Sequence, residues 1–333
     1  MWGKSAMVPR CHSRIPTNLT SDASTPDNQH REPASLVNYR RNILRHCANL
    51  EIIAVKKVET VTAGKWSKKF SAELNTDVCD RYNNAEITIN SKIQLIKGDP
   101  SGGANAGTQN DAGGNSQNII KWNDAAWTIW KAKFVKASTA YSGKFWLVNN
   151  DKWGEFEDKR VKYFPNIWCR HGIELVNSAI NAHHTITVYR VPASGRGFQS
   201  DFSTMDSYDT ELQNKKQDSR HRWIKQRPAV HEYFHTLGVV HIDHGEANCP
   251  AADSGNEASC YGDTDADRRT LMGAGMNLHA RFADPWRRAA IKLTGIGTVA
   301  SATAWTAMLR QHYPRTETEA DHNVAVLVRP KRK

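Results

Sequence analysis

Eleven residues constrain this chain more than any other stretch: His231-Glu232-Tyr233-Phe234-His235-Thr236-Leu237-Gly238-Val239-Val240-His241. On a helix, residues four apart stand one turn apart on one face, so His231 and His235 aim two imidazoles at one point. Glu232 cannot share that point but can reach a water held there. Gly238 tolerates the left-handed backbone that ends a helix, which lets the chain double back and bring in His241. Three nitrogens around a tetrahedral ion leave a fourth position open, the arrangement of a catalytic rather than a structural zinc. The competing reading is a helix that merely happens to carry three histidines. With 14 His and 21 Gly in 333 residues, chance produces the full pattern on the order of 10⁻⁴ times in such a chain. A metal site is therefore the expectation.

The rest of the composition sets bounds. A chain of 333 residues with 39% hydrophobic and 24% charged residues can bury a sizeable core. No apolar run approaches the roughly 20 residues of a membrane span. The net charge of +11 favours acidic partners, but the basic residues are dispersed. The one dense run, 329–333, reads as a solvated end, and no nucleic-acid module signature is visible. The first residues, MWGKSAMVPRCHSRIP, lack the apolar core of a signal peptide. The expectation is a chain that stays inside, is exported by a machine needing no such peptide, or has been separated from its leader. Six cysteines lack the spacing of a zinc ribbon.

Along the chain, 1–35 is polar and Pro-rich and reads as a disordered leader, followed by a β-rich region over 36–97. Strand patterns occur at 50–61 and at 85–96, where Ile87, Ile89, Ile93 and Leu95 alternate. The Gly/Asn/Ser-rich stretch 98–117 reads as a flexible linker or loop and as the candidate domain boundary, a surface insertion within one sheet being the alternative. Beyond it, Ile119, Trp122, Ala126, Trp127, Trp130 and Phe134 fall at helical spacing within 118–137, a tryptophan stripe that reads as core. Segments 144–148, 171–180 and 184–191 read as strands, and His183 and His184 as surface or hydrogen-bonded histidines. Residues 193–220 read as loops around a short element near 202–208. Pro228 suits a first helical turn, so the metal helix is expected over about 227–237. The irregular stretch 243–269 holds Cys249 and Cys260, for which a local disulfide and buried free thiols are both open. A final helix opens near Pro285 with Trp286, Ala289, Ala290 and Leu293 on one face. The tail 297–333 is weakly patterned, with 324–328 as a candidate late strand.

The motif at 231–241, taken with Thr270-Leu271-Met272-Gly273 downstream, resembles the metzincin class of zinc metallopeptidases. The resemblance implies an α+β domain over 118–296: a twisted mixed sheet, the active-site helix, a tight turn placing Met272 beneath the metal, and a C-terminal helix from Asp284-Pro285-Trp286. It implies one zinc ion held by His231, His235 and His241, with Glu232 as the catalytic carboxylate. The likeness is sequence-specific over about 225–295; element order alone extends it back to about 118. Met276 is a nearby rival for the turn. Two departures stand out. Ala274 occupies the position, two after the Met, where some families of the class place a Tyr, so the site pattern is nearer the matrixin-like branch. Ile242 after the third His assigns no known family. Asp243 and His244 follow at once, and either is able to replace His241 as third ligand. Glu257 would be the downstream ligand of a gluzincin-like site, against which Gly238 argues. In the class, substrate lies extended along the edge strand above the metal helix, pairing backbone to backbone; 184–191 is the candidate for that strand. A looser resemblance links the chain to zinc-protease toxins that bacteria deliver through injection machines, which implies a secreted or injected protein.

The activity so implied is hydrolysis of peptide bonds in a protein or peptide substrate. Glu232 takes a proton from the attacking water and returns it to the leaving amine, while zinc polarises the carbonyl. Two other classes stay open: a zinc-containing binding or toxin module without proteolysis, and a zinc amide hydrolase acting on peptidoglycan. Asp263, Asp265 and Asp267 alternate in a loop, a spacing able to hold calcium, although a solvated acidic loop is the plainer reading. A prodomain latch would need a free upstream cysteine, and nothing singles out Cys11, Cys47 or Cys79.

Overall fold

The alternation of apolar residues in AEITINSKIQLIKG builds the strand on which the rest of the sheet is assembled. In this computed structural model, the residues described are 57–63, 67–75, 85–149, 156–158, 161–163, 166–193, 197–252, 255–298 and 304–309. The leader at 1–35, the segment 324–328, the basic end and Cys11, Cys47 and Cys79 lie outside them. The strands are β1 (Lys57–Ala63), β2 (Lys68–Asn75), β3 (Ala85–Gly98), β4 (Ala106–Asn110), β5 (Ser116–Ile120), β6 (Phe145–Asn149), β7 (Phe156–Asp158), β8 (Val161–Tyr163), β9 (Asn166–Leu175), β10 (His184–Tyr189), β11 (Thr204–Asp206), β12 (Gln213–Gln217), β13 (Trp223–Gln226) and β14 (Trp305–Leu309). The helices are α1 (Asp124–Thr139), α2 (Pro228–Thr236), α3 (Asp265–Arg268) and α4 (Asp284–Thr294).

The fold is α+β, with a curled, open, mixed sheet. Its main path runs β1-β2-β3-β9-β6-β14. Long β3 pairs antiparallel with β2 through Glu86–Asn90 and parallel with β10 through Ile93–Gly98. β10 thus takes over where β2 ends, and His183 Nε2 stands 3.4 Å from Ser71 Oγ on β2. On its other edge β3 runs parallel to β9, Ala85–Ile93 against Ile167–Leu175. Ile87, Ile89 and Ile93 are fully buried, as a period of two demands of a strand with one covered face.

That face is covered by helices. Trp122, Trp127, Trp130 and Phe134 are buried, so the tryptophan stripe is core. Trp127 and Trp130 stack with centroids 5.9 Å apart, and Phe134 meets Tyr233 of α2 edge-on at 6.3 Å. The two indoles also anchor strands: Trp122 Nε1 donates to Val188 O at 2.9 Å and Trp130 Nε1 to Asp206 O at 3.1 Å. Trp286 of α4 is fully buried and its Nε1 donates to Arg170 O at 2.6 Å.

Several expectations shift. The helix expected from 118 begins at Asp124, because β5 claims Ser116–Ile120 and Asn123 caps the helix by accepting from Ala126 N. The strand expected over 171–180 is Asn166–Leu175, and Ser178 then starts a tight turn by accepting from Ile180 N. The stretch 98–117 holds most of a hairpin, β4 against β5, and the strands before and after it, β3 and β6, belong to one sheet with β9 between them. The weakly patterned tail contributes β14, whose Trp305 is almost wholly buried. Cys249 and Cys260 are disulfide-bonded.

His171 on β9 is a titratable group of this core. Its Nε2–H donates to Ser138 O at 2.9 Å, and the rings of Tyr233, Phe234 and Trp286 lie at 5.6–6.1 Å. Burial lowers its pKa to about 4. The unfolded chain takes up this proton near pH 6.5, so between the two values the unfolded state binds more protons, and stability falls as pH drops through that window. The loss is roughly 3 kcal/mol when complete. Urea unfolding at pH 7.5 and 4 should therefore show the wild type losing roughly 3 kcal/mol more than His171→Leu; equal losses in the two proteins would contradict the assignment.

Candidate metal centre

Helix α2 has Pro228 in its first turn, and all nine of its residues are buried. The first turn is held from outside, Ala229 N donating to Asp209 O at 3.1 Å. At the other end Gly238 adopts φ +87°, a conformation that costs other residues about 1 kcal/mol or more. The chain reverses there, and Val239 N returns to Phe234 O at 3.1 Å. The reversal has two effects. It places the Val239 carbonyl over the His235 ring, and it carries His241 to the face that His231 and His235 share.

The three Nε2 atoms form a nearly equilateral triangle. His231 to His235 is 3.1 Å, His235 to His241 is 3.1 Å and His231 to His241 is 3.2 Å. Each Nδ1 faces a backbone carbonyl: His231 that of Leu271 at 2.7 Å, His235 that of Val239 at 2.7 Å, and His241 that of Gly255 at short range. A carbonyl oxygen only accepts, so each Nδ1 carries the proton and each Nε2 of a neutral ring presents a lone pair. Burial keeps the rings neutral: it lowers His231 to about 3, His241 to about 4 and His235 well below the usual range. Three lone pairs converging within 3.2 Å repel one another unless a cation lies among them. Ligand nitrogens at ~2.0–2.1 Å from a tetrahedral zinc stand roughly 3.3–3.4 Å apart, within a few tenths of an ångström of the observed triangle. The donor set fits the group.

Support beyond the ligands comes from the turn at 270–277. Leu271 supplies the carbonyl to His231, and Met272 O accepts from Ile242 N at 3.0 Å, which ties the turn to the residue after the third histidine. Gln226 Nε2 donates to Leu271 O at 3.0 Å and Gly273 O at 3.1 Å. A Cβ at Gly273 would meet Asp267 O at 2.4 Å, so the turn admits no side chain there. Met272 is fully buried. Met276, its rival, serves elsewhere, its sulfur accepting from Arg227 N just before α2.

The other candidates point elsewhere. Asp243 Oδ2 accepts from Asp263 N at 2.7 Å and Asn248 Nδ2 at 3.3 Å, and the imidazole of His244 packs by Gly255. Glu257 lies near Cys249 and Cys260, whose sulfurs are spent in the disulfide. Of the acidic loop, Asp265 accepts from Ser219 N and Oγ, and Asp267 from Thr264 Oγ1. Among the described residues, Asp263, Asp265 and Asp267 do not converge on one point as the histidines do, which removes the basis for calcium there. His183 Nδ1 accepts from Lys92 N at 3.1 Å and His184 Nε2 donates to Lys69 O at 2.9 Å, hydrogen-bonded roles rather than ligation.

The triad opens into a cleft of about 170 Å³ lined by Ala112, Gln199, Ser200, Asp201, Phe202, Glu232, His235, His241, Asn256 and Tyr261. A larger hollow of about 640 Å³ beside it, lined by Phe198, Asp206 and Lys215 among others, contains none of the three histidines, so size does not decide the matter. Among the described residues no hydrogen bond engages the Glu232 carboxyl. Burial pushes its pKa well up, with Asp209 and Asp201 adding to the rise and Lys215 opposing it. Tyr261 lies against His241, ring centroids 3.9 Å apart. Sequence reasoning missed Tyr261, Gln226 and the lip at 199–202. The one available signal was the Cys249/Cys260 pair, since Gly255, Asn256 and Tyr261 lie in or beside the loop it closes. The strand expected to bind substrate is corrected in part: over Thr187–Tyr189 β10 has β3 on one side and β11 on the other, so the edge that the cleft lip leads into is β11.

Comparison of the chain with protein families, with curated proteins and with solved structures finds no match.

Protons compete with a metal for these nitrogens only below the histidine pKa values, which burial has lowered. Zinc affinity measured by competition with a chromophoric chelator should therefore change less than about tenfold between pH 7.5 and 5.5. Three ordinary histidines with pKa ~6.5 would lose roughly a thousandfold over that range. Elemental analysis should find one metal ion per chain, and His235→Ala should bind none.

Proposed function

We propose that the chain is a zinc-dependent metallopeptidase of metzincin-like type. The observation that carries the reading is the union of a three-nitrogen triangle with an uncommitted carboxyl on the adjacent residue, both open to one cleft. A purely structural zinc site has no use for Glu232. The order of metal helix, glycine reversal, third histidine, methionine turn and final helix supports the metzincin-like assignment, as does the bond from Ile242 to the turn.

His231, His235 and His241 would hold a zinc ion, which would supply the Lewis acidity that activates water and polarises a carbonyl at neutral pH. The chain's own residues do the rest. Glu232 accepts the proton of the attacking water and hands it to the departing amine. Its burial on α2 raises its basicity for that role. The Leu271, Val239 and Gly255 carbonyls hold the rings in one tautomer and orientation, as outer partners of metal ligands do. Tyr261 walls the cleft beside His241.

Glu232→Gln preserves shape and removes the base. With casein as substrate, the variant should retain one zinc per chain by elemental analysis while hydrolysis falls roughly 10²–10⁴-fold. Wild-type rates in a zinc-loaded Glu232→Gln protein would overturn the mechanism.

A further inference from the structure

A substrate that binds as an added strand needs an edge with unpaired N–H and C=O groups. The edge that the lip of this cleft leads into is β11, and its ladder with β10 fixes which groups point outward. Thr187 N donates to Ser203 O, and Thr187, Val188 and Tyr189 face Thr204, Met205 and Asp206 in parallel register. In a parallel ladder alternate residues face the partner, so Met205 turns its backbone groups to β10, whereas Thr204 and Asp206 turn theirs outward. All four of those outward groups are taken. Thr204 N donates to Asp201 O at 3.2 Å and Thr204 O accepts from Asp201 N at 2.8 Å. Asp206 N donates to Asp209 Oδ2 at 2.8 Å, and Asp206 O accepts from Trp130 Nε1 at 3.1 Å.

In the lip leading into β11, Gln199, Asp201 and Ser203 are committed as well. Gln199 N donates to Asp111 Oδ2 at 3.1 Å and Gln199 O accepts from Ala112 N at 2.9 Å. Ser203 N donates to Asp201 Oδ1 at 2.7 Å. Ser200 lines the cleft, and among the described residues neither its N–H nor its C=O has a partner. Its hydroxyl is held away by Asp209 Oδ2 at 2.5 Å. The cleft itself, about 170 Å³, is smaller than the roughly 300–1,000 Å³ of a site that envelops a larger ligand.

Resting on the metallopeptidase reading above, we infer that this site takes short peptides, engaging one peptide unit at Ser200 in place of a strand-added polypeptide. Recognition is confined to the residues flanking the scissile bond. Each backbone hydrogen bond that strand addition would supply is worth roughly two- to tenfold in affinity, and β11, already satisfied, offers none of them.

The test is a series of end-blocked peptides that share one scissile bond and grow from three to eight residues, assayed with zinc-loaded full-length protein. The expected result is a plateau, with kcat/KM rising less than about threefold beyond four residues. Methylating amide nitrogens more than two residues from the scissile bond should change the rate by less than about twofold. A rise of about thirtyfold or more between four and eight residues, abolished by N-methylation, would overturn the binding mode while leaving peptide hydrolysis intact. If no peptide of any length is cleaved by the wild type, the metallopeptidase reading falls and the short-peptide assignment falls with it.

Discussion

Three backbone carbonyls decide what the three histidines can be. Leu271, Val239 and Gly255 each take an Nδ1–H, which leaves three Nε2 lone pairs aimed at one point. Those carbonyls come from the methionine turn, the glycine reversal and the disulfide-closed loop. The site is therefore assembled from three chain segments, each positioned for its own local reason. The reversal needs Gly238, the turn needs the bare Gly273 and the clamp of Gln226, and the loop is closed by the Cys249–Cys260 bond. Helix α2 contributes two ligands and the carboxyl, but its ring orientations are set by residues outside it.

The wider fold serves mainly to hold α2 still. The aromatic face of α1 packs against it through Phe134 and Tyr233, while Trp122, just before α1, fastens β10 and Trp130 fastens β11. Asp209 joins the remaining parts: its carbonyl receives the first turn of α2, and its carboxylate holds Ser200 and the edge strand. Cleft lip, edge strand and metal helix consequently share one buried residue, so their spacing is fixed.

How far this was legible in the sequence depends on how local each determinant is. The triad, Glu232 and Gly238 were readable because a helical turn converts their spacing directly into geometry, and the period-two run in β3 was readable for the same reason. The tryptophan stripe was recognisable as core, although its start was placed too early because a strand residue, Ile119, happened to continue the helical phase. Gln226 and Tyr261 act through contacts across many residues, and no period in the sequence encodes such contacts. β14 escaped notice because five residues in a polar tail become a strand only when β6 offers its edge. The choice of β10 as the outer strand failed in part for a related reason: Thr204–Asp206 is too short to show a pattern, and only the tertiary fold reveals that it lies outside β10.

The hairpin at 106–120 has a role that its low-complexity composition conceals. Burial alone would raise the pKa of Asp111, but N–H donors from Asn115, Gln199 and Gln117 more than offset it. One ionised side chain thereby staples the hairpin tip to the lip of the cleft that holds the three histidines. Among the described residues, no hydrogen bond joins the hairpin tip to the carbonyls of Leu271, Val239 and Gly255. The hairpin therefore bears on the cleft through the lip alone, and the lip is tied to α2 by Asp209, so a change of residue at the hairpin tip reaches the mouth of the cleft by a route that bypasses the three carbonyls holding the histidine rings.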